Sequence, residues 1–314
     1  MRNLFYLFFI SILISCSSSS SQQVKIGFVD ALEDETLAKA RQGFFVALKD
    51  SGYVKDKNME VIYRNAQNDL PVLTQSVDYL VSQHVDVIAT NATLSTITAV
   101  QRNTTIPVCM MVSPSPQLAG LQKKDGSNPP NLFGVFETLE YMDTALALIK
   151  TIFPEATKVG TLINQSEPQS REALKRIELK AKELGIEIIS RPANSSAETQ
   201  LVTESLINEG IEVFFALPDN TIFASFETIV AACDRANIPI ITSESGLVGR
   251  GALAAFGADM YQWGYDSGLE CVQFLRTRKL PQLKKLSTRQ RVYNQEQAQR
   301  FGITLDSSFV SYKK

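Results

Sequence analysis

Short, nearly continuous apolar runs alternate along this chain with longer stretches whose apolar positions recur at helical spacing. Val24-Lys25-Ile26-Gly27-Phe28-Val29 is the first run, β-branched and aromatic as a buried strand requires. Residues 35–51 follow, with Leu37, Ala40, Phe44, Ala47 and Leu48 on one helical face and Gly52 behind them to end the helix in the left-handed conformation. The pattern then predicts strands at 59–63, 85–90 and 106–112, with helices at 71–83 and 93–102 between them. Strands and helices alternating in this way imply right-handed crossovers and a parallel sheet covered on both faces.

The same order returns in the second half. Strands are expected at 158–163, 186–190, 212–217 and 238–242, and helices at 168–184, 197–209 and 221–236. Matching joints look alike: Gln83-His84-Val85-Asp86-Val87-Ile88 parallels Glu209-Gly210-Ile211-Glu212-Val213-Phe214, and Ile106-Pro107-Val108 parallels Ile238-Pro239-Ile240. A duplicated α/β lobe accounts for this better than one large sheet. Residues 113–134, rich in Pro, Ser and Gly, read as the linker. A helix at 259–277 and a strand at 289–293 remain, and the economical placement returns the helix to the first lobe and gives the strand to the second. Lobe 1 is then 24–134 plus about 258–280, and lobe 2 is 135–257 plus about 281–314. Several chain crossings between the lobes make the connection a hinge.

Ahead of the first strand, Arg2 precedes an apolar run from Leu4 to Ile14, too short to span a membrane and shaped like a secretory signal peptide. Leu13-Ile14-Ser15-Cys16 resembles a bacterial lipobox, so residues 1–15 are expected to be removed and Cys16 to be lipidated, as by palmitate. Residues 16–23 then form a polar, flexible tether. The expected location is outside the cytoplasm, lipid-anchored to the cell membrane, with the remainder of the chain soluble.

Composition narrows the remaining chemistry. The 314 residues carry a net charge of −2, which argues against nucleic acid as a partner. One histidine, His84 at a helix-to-strand turn, argues against a metal site, and no cofactor is expected. Cys109, Cys233 and Cys271 lie in apolar neighbourhoods without a Cys-x-x-Cys pair and read as buried thiols, one bridge being the lesser option. There is no phosphate-cradling glycine loop and no Gly-x-Ser-x-Gly elbow. A racemase-like enzyme would need one cysteine from each half, but Cys109 is predicted in a strand and Cys233 in a helix. The chain is therefore read as a binding protein, not an enzyme.

In open parallel sheets ligands bind beyond the carboxyl ends of the strands, where helix N-termini also point. Those positions select Thr93, Leu94, Ser113 and Ser115 in the first lobe, and Asn164, Ser166, Glu167, Asp219, Asn220 and Glu244 in the second. Helix capping alone would also put Ser, Thr, Asp and Asn there. Hydroxyls and helix ends suit a carboxylate, and Glu167, Asp219 and Glu244 suit an ammonium group. A zwitterion such as an amino acid fits both. Phe28, Tyr141, Phe223, Phe256 and Trp263 are aromatics near these rims that could stack on an apolar ligand, though aromatics in such strands and helices are more often core.

These segments resemble the tryptophan/tyrosine-type substrate-binding proteins of ABC transporters, within the type I periplasmic-binding-protein fold. The likeness is carried by Ala40-Arg41-Gln42-Gly43-Phe44, Tyr63-Arg64-Asn65-Ala66-Gln67-Asn68, Ala119-Gly120-Leu121 and Asn131-Leu132-Phe133-Gly134-Val135. In the second half it is carried by Val159-Gly160-Thr161-Leu162-Ile163-Asn164, Pro218-Asp219-Asn220-Thr221 and Arg250-Gly251-Ala252-Leu253-Ala254. The resemblance implies a monomeric lipoprotein that closes on an aromatic or related amino acid and delivers it to a permease with its ATPase. Thr93, Ser166, Glu167, Asp219, Asn220 and Glu244 match the family's ligand-contact regions. Pro114 and Ser115 stand where the family often has Thr-Asp, and no His-Pro accompanies Glu33-Asp34-Glu35, so ligand identity stays open. A sensory subunit of a signalling system would share this fold and closure; a DNA-binding regulator is excluded by the export signal.

Overall fold

A computed structural model describes residues 23–312; the signal segment, Cys16 and nearly all of the tether lie outside the described residues. The first half runs β1 (Val24–Asp30), α1 (Glu35–Asp50), β2 (Met59–Asn65), α2 (Leu70–Ser82), β3 (Val87–Asn91), α3 (Thr93–Arg102), β4 (Val108–Met111) and β5 (Leu132–Phe136). The second runs α4 (Tyr141–Ile152), β6 (Lys158–Ile163), α5 (Pro168–Leu184), β7 (Glu187–Pro192), α6 (Thr199–Asn208), β8 (Val213–Ala216), α7 (Asn220–Ala224), α8 (Phe226–Arg235), β9 (Ile240–Glu244), α9 (Ser245–Val248) and β10 (Ala254–Ala258). The chain closes with α10 (Met260–Thr277), β11 (Lys284–Lys285), β12 (Arg289–Tyr293), α11 (Gln295–Arg300) and β13 (Phe309–Ser311).

Two sheets result, ordered β11-β5-β4-β3-β1-β2 and β13-β12-β10-β9-β8-β6-β7. The order β2-β1-β3-β4-β5 is repeated by β7-β6-β8-β9-β10, so the halves share one winding. All pairings are parallel except β10 with β12. Helices cover both faces, and for that reason β1, β3 and β4 read as continuous apolar runs instead of alternating ones. At the matched joints His84 and Gly210 both take positive φ, 51° and 81°. Cys109, Cys233 and Cys271 are buried free thiols.

The chain passes between the sheets three times: after Phe136, after Ala258 and after Lys285. Two expected boundaries therefore move. The stretch read as linker to residue 134 ends in β5, whose strand continues the first sheet to Phe136. Residues from about 281 were assigned to the second lobe, yet Lys284 and Lys285 pair with Val135 and Phe136 in the first. The helix expected over 221–236 is broken at Ser225 into α7 and α8.

Helix α10 returns to the first lobe and lies along α1. Three glycines permit this contact: a Cβ on Gly43 would stand 2.0 Å from the Tyr261 carbonyl, and one on Gly268 would be 2.7 Å from that of Phe44. At Gly264 it would meet the Ala40 carbonyl oxygen at 1.8 Å. The backbones touch, which carries Met260 and Trp263 to the edge of the first lobe that faces the second. The apolar core also crosses the gap. Ala31, Leu32, Leu37 and Ala92 of the first lobe pack in one cluster with Leu217, Phe223 and Leu247 of the second.

Candidate ligand cleft

The strand ends of the two sheets face one another across a narrow cavity. Leu37, Ala92, Thr93, Val112, Ser113, Pro114, Met260 and Trp263 line it from one side, and Tyr141, Gln169, Pro218, Asn220, Phe223 and Glu244 from the other, with Glu137 and Leu139 at a crossing. These atoms leave about 420 Å³ unfilled, constricted so that the water-sized free volume is about 40 Å³. Trp263, the only tryptophan of the chain, is fixed by its indole N–H donating to the Val135 carbonyl at 2.9 Å. A larger concavity, with a water-sized free volume of about 660 Å³, lies between α1 and β2 on the outer face of the first lobe. It receives nothing from the second lobe, whereas the narrow cavity is lined from both lobes and collects buried polar atoms without partners on its second-lobe wall.

Two carboxyl groups line this cavity, and one of them is neutralised. Arg289, itself partly exposed, donates to both oxygens of the buried Glu137 at 2.5–3.0 Å. Glu244 ends β9 and is buried. Its Oε1 accepts the Tyr141 hydroxyl at 3.0 Å, and its Oε2 has no partner. Burial, reinforced by the nearby Glu137 charge and offset in part by the Tyr141 hydrogen bond, pushes the Glu244 carboxyl up to about 8. Burial and the Glu244 charge push the Tyr141 hydroxyl well above its ordinary range, so it stays a donor.

On the same second-lobe wall, Gln169 Oε1 and Asn220 Nδ2 are also buried without partners. Glu167 aims both: it accepts from the Gln169 amide and from the Asn220 backbone N–H at 3.0 Å. Burial, with the neighbouring Asp219 charge, raises the Glu167 carboxyl well above its ordinary value. On the first-lobe wall, α3 begins at Thr93 behind Ala92, whose φ of 73° and missing side-chain cap leave the first turn uncapped. A helix start of this kind presents unpaired N–H groups and a partial positive charge.

Of the residues expected from sequence, Thr93, Ser113, Asn220 and Glu244 line this cavity. Leu94, Asn164, Ser166 and Glu167 line a neighbouring groove of about 170 Å³, shared with Asn68, Asp69 and Asn194. Asp219 is fully engaged, its Oδ1 capping Thr221 and Ile222 while Oδ2 accepts from Asn164 N–H and the Ser170 hydroxyl. Ser115 instead accepts from Leu118 N–H and pairs by its backbone with Glu137. Leu37, Glu137, Gln169 and Met260 were not foreseen. Glu137 follows a strand hidden in the apparent linker, and Gln169 reaches the cavity from inside a helix, so neither carries a strand-end signal.

The model of the family described as ABC transporter substrate binding protein matches residues 25–313. A tyrosine-binding protein of Clostridioides difficile (strain R20291) is 33% identical over 258 residues, covering 82% of this chain and 74% of that one. Among solved structures, an ABC domain from Streptococcus pneumonia in complex with L-Trp is 25% identical with a TM-score of 0.84, covering 91% of this chain and 97% of that one. The ligand-free, open structure of a substrate binding protein with adhesive properties from Clostridium difficile is 26% identical with a TM-score of 0.68, covering 92% and 100%. At nearly equal identity, this chain superposes more closely on the L-Trp complex than on the ligand-free, open structure. The two-lobed architecture is the type I periplasmic-binding-protein fold, and the chain belongs to the ABC transporter substrate binding protein family.

Proposed function

We propose that the ligand is an amino acid, aromatic in its side chain, held between the lobes. The observation that carries this reading is Glu244: a buried carboxyl with one oxygen unpartnered in the cavity and no cation beside it among the described residues. An α-ammonium group supplies the missing charge. The uncapped first turn of α3, with Thr93 in the wall, offers its N–H groups to the α-carboxylate, and Asn220 Nδ2 adds a donor. Phe223, Tyr141, Trp263 and Leu37 leave an apolar and aromatic surround for the side chain. The tyrosine-binding relative and the L-Trp complex support the aromatic assignment. The remaining sequence-derived residues, Leu94, Ser113, Ser115, Asn164, Ser166, Glu167 and Asp219, act in this reading by shaping or orienting the wall. We further infer export, anchoring through Cys16, and delivery of the ligand to a membrane permease driven by its ATPase; the Leu4–Ile14 run and the family membership support this.

The direct test is titration of the purified protein with L-tyrosine and L-phenylalanine, read by the fluorescence of Trp263 in the cavity wall, and with L-tryptophan by calorimetry. Saturable binding of at least one is expected; binding of a non-aromatic metabolite in preference to all three would overturn the aromatic assignment.

A pH dependence follows from the same carboxyl. In the empty cleft Glu244 keeps its proton below pH about 8, while an ammonium ligand needs the carboxylate, so binding expels a proton. Affinity is expected to fall about tenfold per pH unit as the pH drops from 8 toward 6. Calorimetry in buffers of different ionisation enthalpy reads the released proton; a pH-independent Kd would rule this mode out.

A further inference from the structure

We propose that a latch outside the ligand cavity, made by Asp34, Thr36, Gly246 and Arg250, sets how far the lobes stay closed and hence the affinity for any ligand. Asp34 caps α1 in the first lobe, its Oδ1 accepting the Thr36 and Leu37 N–H groups. Its Oδ2 is left for Arg250 of the second lobe, which donates to it at 2.5 Å; the two side chains are 1% and 10% exposed. Arg250 is held from behind by Glu227, at 2.7 and 2.9 Å, and by the Phe223 carbonyl at 2.7 Å. Each half is thus fixed by its own lobe, and closure adds one short, charge-assisted bond with little ordering cost. None of the four residues lines the ligand cavity.

Beside this pair the lobes touch at Gly246. A Cβ there would lie 2.3 Å from Thr36 Cγ2 and 3.0 Å from its hydroxyl. A larger residue there forces Thr36 to shift while the lobes are together. Separation of the lobes removes the conflict, since Gly246 and Thr36 belong to different lobes. Lys39 donates to the Tyr312 hydroxyl at 2.6 Å along the same edge.

This inference rests on ligand capture in the cleft, but its test does not begin with a ligand. Small-angle scattering of the empty protein is compared for the natural chain, Arg250→Ala and Gly246→Ala. Both variants are expected to be more extended, and Thr36→Ala combined with Gly246→Ala is expected to recover the compact form. Where a ligand binds, both single variants weaken every ligand by one common factor, about tenfold, because a shift in the closed population acts on all ligands equally. Unchanged scattering in both single variants overturns the latch, as does a failure of Thr36→Ala to rescue, which would put the Gly246→Ala defect inside the second lobe. If no amino acid binds the natural chain, the ligand assignment falls while the scattering still decides the latch.

Discussion

Glu244→Gln is expected to weaken binding of an ammonium-bearing ligand about a hundredfold or more, since breaking a buried ion pair costs about 3–5 kcal/mol and each 1.4 kcal/mol is tenfold. The glutamine keeps the size and still accepts the Tyr141 hydroxyl, so cavity shape is retained. Stability should respond with the opposite sign. Burial pushes the Glu244 carboxyl up to about 8 in the fold, against an ordinary 4.5 for an unburied glutamate. Between those values the unfolded chain has lost the proton that the empty folded chain retains, so stability falls as pH rises through this window. The glutamine variant lacks that loss. Thermal melts of the empty proteins at pH 5 and pH 8 should show a decline in the natural chain that the variant does not share. A variant that binds as tightly as the natural chain would remove Glu244 from ligand recognition.

The second large effect is structural. Gly264→Val is expected to disrupt the first lobe, because even a methyl group would sit 1.8 Å from the Ala40 carbonyl oxygen and 2.5 Å from its carbon. Backbone is in the way on the α1 side, so no rotamer relieves the clash and the helices must separate. Overpacking of this kind costs about 3 kcal/mol or more. In a chain of this size that corresponds to a fall in Tm of about 5 °C or more. Helix α10 also delivers Met260 and Trp263 to the ligand cavity, so any folded remainder should show altered Trp263 fluorescence and weaker binding. An unchanged melting temperature would mean that the α1–α10 contact is looser than its geometry indicates.

Much of this architecture was legible because burial on both faces writes parallel strands as plain apolar runs. Helix α5 was readable over its full length, with Pro168 at its start and Gly185, at φ 65°, as its left-handed stop. What stayed hidden has physical reasons. Strand β10 is Ala254-Ala255-Phe256-Gly257-Ala258, small residues in place of branched ones; a Cβ on Gly257 would sit 1.9 Å from the Ser243 carbonyl oxygen. Close approach to β9 thus selected against the side chains that advertise a strand. Helix α4 was not anticipated either, although Met142, Ala145, Leu146, Leu148 and Ile149 are buried along it.

In the candidate site, strand-end reasoning located Glu244 and Asn220 but gave Asp219 the same weight. The difference lies in satisfaction: every Asp219 oxygen is already bonded, whereas Glu244 Oε2 and Asn220 Nδ2 are not. Spacing along a chain cannot reveal which of two adjacent polar residues is spent on a helix cap. Glu137 and Arg289 are 152 positions apart and meet only because β5 and β12 flank the crossings.

The triple passage of the backbone between the lobes has an entropic consequence. One passage uses a single residue, Asp259, between β10 and α10, and another uses only the residues between β11 and β12. Short, parallel tethers leave the jaws almost no freedom except to swing about one axis. Shutting on a captured molecule then forfeits little chain entropy, unlike the collapse of a floppy linker. Under the proposed capture role, nearly all of the attraction between ligand and walls would remain available as holding strength.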